Sequence, residues 1–316
     1  MTVACVFPGQ GSQSVGMLSE LAAGHAIVGR TFAEASAALD YDLWQRVSEG
    51  PAEKLDQTEC TQPAMLVAGV ATWRLWVEQG GARPSVVSGH SLGEFTALVC
   101  AGAIDFAAAV TLVRDRGRYM QSAVPAGGGG MAAILGLDDD AVEAVCAEAA
   151  QGEVVEAVNY NSPGQVVIAG QAAAVERALA AARVRGAKRA MLLPVSVPAH
   201  SSLMQGAAAQ LRERLAGIAI SAPAIEYLSA VDAQPHHDPE DIRALLVRQL
   251  ASPVRWTATV GAISGRGVRA IVECGPGKVL TSLNKRIAKG SDVQCLAIDN
   301  EASLRTGLDA TRSTTP

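Results

Sequence analysis

The sequence predicts an α/β protein in which a small βαββαβ domain interrupts a larger domain built on a parallel sheet. Three observations carry this. The run Ser85-Val86-Val87-Ser88 enters Gly89-His90-Ser91-Leu92-Gly93 and leaves as helix-like Glu94 to Cys100, the strand-turn-helix order of a nucleophile elbow. After Gly127-Gly128-Gly129-Gly130 the pattern reads strand, helix, strand, strand, helix, strand over roughly seventy residues, the order of a ferredoxin-like unit. A third apolar run, Val268 to Glu273, passes through Cys274-Gly275-Pro276-Gly277 into a helix. The expected division is a large α/β-hydrolase-like domain from 1–126 and 199–316, with 127–198 inserted. The cleft between the two is a preferred place for a ligand.

Composition fits this class. The chain has 316 residues, 49% apolar and 18% charged, enough for a large core and two domains. A net charge of −5 argues against nucleic acid or an anionic membrane as main partner, and no apolar run approaches the roughly 18–20 residues of a membrane span. The N-terminus lacks a basic leader and runs from Thr2 into Pro8-Gly9, so it reads as a first strand. The six cysteines are scattered without a Cys-x-x-Cys pair. Buried free thiols and a cytoplasmic location are expected.

In chain order, Val3 to Phe7 is a strand, Pro8 to Gln13 a glycine-rich loop, and Met17 to Val28 a helix. The loop lacks the Lys-Ser/Thr ending of a phosphate loop. Thr61-Gln62-Pro63 reads as a cap with proline in the first turn of a helix running to Val77. After the elbow, Ile104-Asp105-Phe106 caps a helix to about Ala123. In the insert, strands are expected at 131–135, 154–159, 165–169 and 189–195, and helices at 138–150 and 172–184. Asn161-Ser162-Pro163-Gly164 has turn-forming residues. A helix at 203–215, a strand near 224–231, helices from Asp238 and Arg255, and the helix 278–288 complete the fold. From about Ser303 onward the tail is polar and expected to be disordered.

Ser91 is the candidate nucleophile. A strand turning at once into a helix strains its corner residue, and glycines two positions either side remove colliding side chains. The Leu92 N–H then faces a developing oxyanion, with a backbone N–H near Gln10 as the second donor. Among five histidines, His200 is the best base: it sits at a domain junction and a helix start, where an imidazolium is disfavoured. His90 should point away from Ser91, and His236-His237 lack a third ligand for a metal. Arg116 falls on an apolar helix face, its neighbours being Leu112, Val113, Tyr119 and Met120. A guanidinium there needs a partner, either an internal acid or a substrate carboxylate. The substrate reading is preferred.

With these residues in view, the chain resembles the malonyl-CoA:acyl carrier protein transacylases of bacterial type II fatty-acid synthesis. The resemblance rests on Pro8-Gly9-Gln10-Gly11-Ser12-Gln13, Gly89-His90-Ser91-Leu92-Gly93-Glu94, Arg116-Gly117, Val195-Ser196-Val197-Pro198 with His200, and Gly275-Pro276-Gly277-Lys278, in this order. Asn161 to Gln165, and Gln249 preceding Pro253, also fit. It implies Ser91 as nucleophile, His200 as base, an oxyanion hole from Gln10 and Leu92, and Arg116 on the malonyl carboxylate. It also implies that Gln249 orients His200 through a carbonyl. Two positions depart from the pattern: Ala199 stands where many relatives carry serine, and Ser229-Ala230 where many carry asparagines.

The expected function is therefore malonyl transfer from malonyl-CoA to the phosphopantetheine thiol of an acyl carrier protein through an acyl-serine. No metal or bound redox cofactor is required, coenzyme A entering as the substrate thioester. A serine esterase or thioesterase, a non-catalytic carrier-binding subunit, and the same chemistry with another acyl group or carrier remain alternatives. Lys278, Lys285 and Lys289 share a helix face with Ser282. Cations at a helix C-terminus are one reading of them, a dock for an acidic partner the other.

Overall fold

A computed structural model describes residues 2–125, 127–195 and 197–312. Ser196 of the 195–198 stretch, Ala126 at the expected domain boundary and the last residues of the expected tail lie outside them.

The larger sheet contains β1 (Val3–Phe7), β2 (Val86–Gly89), β7 (Glu226–Leu228), β8 (Pro235–His236), β9 (Ala270–Cys274) and β10 (Gln294–Ile298), in the order β10-β9-β1-β2-β7-β8. All neighbours are parallel except the edge pair β7–β8. The central strands are continuous apolar runs because helices cover both faces: β1 and β9 are buried at every position. Phe7 pairs with Gly89 and Val6 with Glu273. The C-terminal ends of three adjacent strands are therefore level, the edge at which such sheets present ligand sites.

The smaller sheet holds β3 (Gly129–Leu135), β4 (Val155–Ser162), β5 (Gln165–Gln171) and β6 (Arg189–Leu192), antiparallel in the order β4-β5-β3-β6. Helices Asp139–Ala150 and Ala172–Val184 pack on it around Ile134, Val145, Ile168 and Leu179. Tyr160 N–H donates to the Val254 carbonyl and Val254 N–H to that of Val158. These bonds fasten β4 to the larger unit.

Several boundaries differ from expectation. The early helix is two, Ser19–Gly24 and Ala26–Leu39, broken at an extended His25. The long helix begins at Thr58, so Pro63 lies inside it. Burial decides the matter: that helix is apolar on nearly every side, as a helix at the centre of a core must be. The polar tail is also corrected, since Glu301–Thr311 forms a helix whose Leu304, Leu308 and Thr311 are buried, started by a capping box between Asn300 and Ser303. Six unpaired cysteines are present among the described residues, five of them buried and Cys100 half-buried.

Candidate active site

The elbow follows from steric demands at two places. At Gly89 a Cβ would stand 1.9 Å from the Gly93 carbonyl carbon, and at Gly93 one would stand 2.0 Å from the Phe7 carbonyl oxygen. The first glycine admits the helix Gly93–Cys100 against its own strand, and the second admits it against β1. Ser91 at the corner takes φ of 52°, in the left-handed region where a side chain costs energy. His90 N–H donates to the Phe7 carbonyl at 3.0 Å, fixing the turn beside the Pro8–Gln10 loop.

The structure brings the separately expected groups to one hydroxyl. Ser91 Oγ lies 2.7 Å from His200 Nε2, and His200 Nδ1 lies 2.9 Å from the Gln249 carbonyl oxygen. A carbonyl only accepts, so Nδ1 carries the ring proton and Nε2 is free to take one from serine. His200 itself has φ of 67°, with its N–H on the Leu250 carbonyl at 3.0 Å. Arg116, 1% exposed, donates from Nη2 to Ser91 Oγ at 3.3 Å and to Gln249 Oε1 at 2.9 Å. Its Nη1 donates to Gln62 Oε1 at 2.9 Å. Its Nε is buried with no hydrogen-bond partner among the described residues.

Ser91, His200, Arg116 and Gln62 line a cavity of about 420 Å³ together with Gln10, Leu92, Met131 and Asn159. Leu92 stands at the N-cap of helix Gly93–Cys100, where backbone N–H groups have no acceptor within the helix. A larger groove, of about 630 Å³ between helices Gln205–Ala216 and Pro239–Gln249, holds neither nucleophile nor base.

Burial first, and the Arg116 charge second, pull the His200 imidazole down to about 3. The expectation that a helix start keeps the ring neutral is thus right in sign but not in its main cause. Burial also lowers Arg116 to about 9, against the opposing pull of the Glu94 carboxylate. The internal acid considered for Arg116 is absent from its first contacts, because its three hydrogen-bond acceptors are all neutral.

His90 borders the same cavity, but its Nε2 lies 2.8 Å from Asn161 Oδ1, across to β4. The remaining candidates fall elsewhere. His236 is bracketed by Asp232 and Asp241, and His25 pairs with Glu301 at 2.9 Å. Lys278 precedes the helix Val279–Ile287 and lies 3.6 Å from Asp299. Lys285 and Lys289 are exposed. Sequence reasoning missed Gln62, Glu94 and Glu156. Glu156 on β4 accepts from both N and Oγ of Ser202, at 2.7 and 2.8 Å, which ties down the segment after His200. Gln62 had one weak signal, an amide beside a proline in an otherwise apolar helix.

Comparison with known proteins gives a consistent result. The model of the acyl transferase domain family matches residues 4–298. A malonyl CoA-acyl carrier protein transacylase of Salmonella typhimurium is 56% identical over 305 residues, 96% of this chain and 98% of that one. The crystal structure of an acyl carrier protein S-malonyltransferase from Vibrio cholerae superposes with a TM-score of 0.93 at 55% identity, covering 97% of this chain and 99% of the other. A type II PKS acyl-carrier protein in complex with its malonyl-transacylase gives 0.96 at 52% identity, covering 98% of this chain and 100% of that one.

Proposed function

We propose that this chain, which belongs to the malonyl-CoA:acyl carrier protein transacylases, performs their transfer with Ser91 as nucleophile and His200 as base. It moves a malonyl group from malonyl-CoA to an acyl carrier protein in fatty-acid synthesis. The observation that carries the residue assignment is the convergence of His200 Nε2 and Arg116 Nη2 on one hydroxyl, at 2.7 and 3.3 Å.

Ser91 Oγ attacks the thioester carbonyl carbon while His200 Nε2 takes the hydroxyl proton. The carbonyl oxygen becomes an oxyanion facing the N–H groups of Gln10 and Leu92. Collapse expels the coenzyme A thiolate, which takes the proton back from His200 and leaves malonyl-Ser91. The carrier's phosphopantetheine thiol then repeats the sequence, giving its proton to His200, and Ser91 recovers it on release. The Gln249 carbonyl holds the ring tautomer throughout. Arg116 grips the distal carboxylate, which places the thioester over Ser91 and selects malonyl over uncharged acyl groups.

The same proposal divides the chain into 1–126 with 199–316 and the insert 127–198, supported by two separate sheets with their own cores. It places the carrier near Lys285 and Lys289, with Lys278 at the margin, and the enzyme in the cytoplasm. No described helix is long and apolar enough to cross a membrane.

Incubation with malonyl-CoA followed by peptide mass spectrometry should find the malonyl group on Ser91; an adduct on another residue refutes the assignment. Arg116→Ala should cost malonyl transfer roughly 2–5 kcal/mol and raise relative use of acetyl-CoA. An unchanged malonyl preference would remove the carboxylate clamp.

A further inference from the structure

Glu94 is a buried acid that the transfer steps do not use. It is 0% exposed, three residues past the nucleophile. Its carboxylate accepts from the Tyr227 hydroxyl, from Ser229 Oγ at 3.2 Å and from Ala230 N–H at 2.8 Å. Its own N–H donates to the Ser91 carbonyl at 3.0 Å. That carbonyl also accepts Gln249 Nε2 at 2.9 Å, while Gln249 Oε1 accepts Arg116 Nη2 at 2.9 Å. Arg116 and Glu94 are thus joined through the Gln249 side chain, the Ser91 carbonyl and the Glu94 backbone N–H, with no direct ion pair, and the Glu94 charge acts on the guanidinium at a distance.

We propose that Glu94 is the resident counter-ion of Arg116, a positioning residue whose charge sets how strongly the cleft prefers a carboxylated acyl group. The inference rests on the reading of Arg116 as the malonyl clamp. Two buried charges of opposite sign stabilise each other even without direct contact, because the medium screens poorly. An arriving malonyl carboxylate gains the same guanidinium but meets the repulsion of Glu94. Glu94 thus keeps the empty site neutral and weakens the hold on malonyl, so the acyl group remains transferable.

The carboxyl is poised for this. Burial pushes it up to about 7, against the lowering effect of its donors from Tyr227, Ala230, Ser229 and Gln249. The charged or titratable groups that act with it are Arg116 on the helix Phe106–Ser122 and Tyr227 on β7, while His200 and His90 lie near Arg116 and each other. Asp232 and His236 stand behind Tyr227. Protonation of Glu94 removes the competing charge, so malonyl preference should strengthen as pH falls through its titration. His200 serves both acyl groups and cancels in the ratio.

The test is kcat/KM for malonyl-CoA and acetyl-CoA on the intact protein between about pH 6 and 8. In the wild type the malonyl-to-acetyl ratio should rise as pH falls. Glu94→Gln should raise the ratio about tenfold or more at pH 8, mainly through a lower malonyl-CoA KM, and abolish its pH dependence. Tyr227→Phe removes a donor to the carboxylate and should move the wild-type rise to higher pH, which keeps the idea testable if Glu94→Gln does not fold. A ratio independent of pH in the wild type, or unchanged or lowered in Glu94→Gln, overturns the proposal. Arg116→Ala separates the two readings. If it keeps malonyl preference, the clamp itself is wrong; if it loses preference while Glu94→Gln has no effect, only the counter-ion role falls.

Discussion

His200 accepts a proton only while its ring is neutral, and burial with the nearby guanidinium keeps it neutral to about pH 3. The activity of such a base is lost as pH falls through its folded-state value, so the acid limb of acylation should lie well below an ordinary histidine's. Arg116→Ala deletes the second cause of the depression. With acetyl-CoA, which needs no clamp, its acid limb should move upward toward about 6.5, over the range where both proteins stay folded. Rapid-quench acylation rates would show it, and an unmoved limb would mean the guanidinium does not act on the ring. Stability carries the same sign. The unfolded chain takes up this proton below about 6.5 while the folded chain does not until about 3. This contribution is complete above that window and is lost as pH falls through it. At this scale the sequence was informative where chemistry demands a residue type: a serine between glycines, a histidine at a junction, an arginine on an apolar stripe. Gln62, Glu94 and Glu156 act by hydrogen bonding across 54, 136 and 46 positions of chain; apart from the amide of Gln62 in an apolar helix, local pattern does not mark them, and it names none of their partners.

Helix Phe106–Ser122 delivers Arg116 to the cleft only because it crosses the start of Thr58–Glu78 at very short range. Gly117 makes the crossing possible: a Cβ there would stand 2.7 Å from the Thr58 carbonyl oxygen and 2.8 Å from Glu59 Cα. Backbone cannot yield as a flexible side chain does, so Gly117→Ala should cost about 1–3 kcal/mol of stability. It should also lower malonyl transfer more than acetyl transfer, because Arg116 rides on the displaced turn. Urea denaturation and the two substrates measure both effects; a wild-type denaturation midpoint would show that the crossing relaxes freely. A related contact supports the Gln10 loop, where Gly275 at φ 148° packs its backbone on the Pro8 ring. Glu273 at the end of β9 accepts the N–H groups of Leu280 and Thr281 and starts the next helix. Strands with a β-branched run and most helices with a polar cap were readable from the sequence. The edge strand β10 was not, and the helix Glu301–Thr311 was missed despite its Asn300–Ser303 capping box, because the polar composition around it hid the few residues it buries. Pro63 misled for the opposite reason: its local preference for a first turn yielded to burial of the helix around it.

Across the whole molecule, bonds tie the smaller sheet to turns and a helix of the larger unit: His90 to Asn161, Glu156 to Ser202, and Arg286 Nη1 to Gln165 Oε1 at 2.7 Å. The last of these lies on the exposed face of the helix Val279–Ile287, which also carries Lys285. The chain is −5 overall, so the proposed carrier dock depends on a local cluster of cations to attract an acidic partner. Lys278 contributes least to such a cluster, since Asp299 lies 3.6 Å from its ammonium. Lys285, exposed beside Arg286 in the last helical turn, is the better probe. Lys285→Glu should lower kcat/KM for the carrier several-fold while leaving acylation by malonyl-CoA unchanged, because loading does not involve the carrier. Raising ionic strength should shrink the difference between the wild type and the variant, as screening weakens exposed charges within about 8–10 Å. Equal loss in both half-reactions would place Lys285 in the machinery of the cleft. Equal retention in both would move the carrier to another face of the molecule.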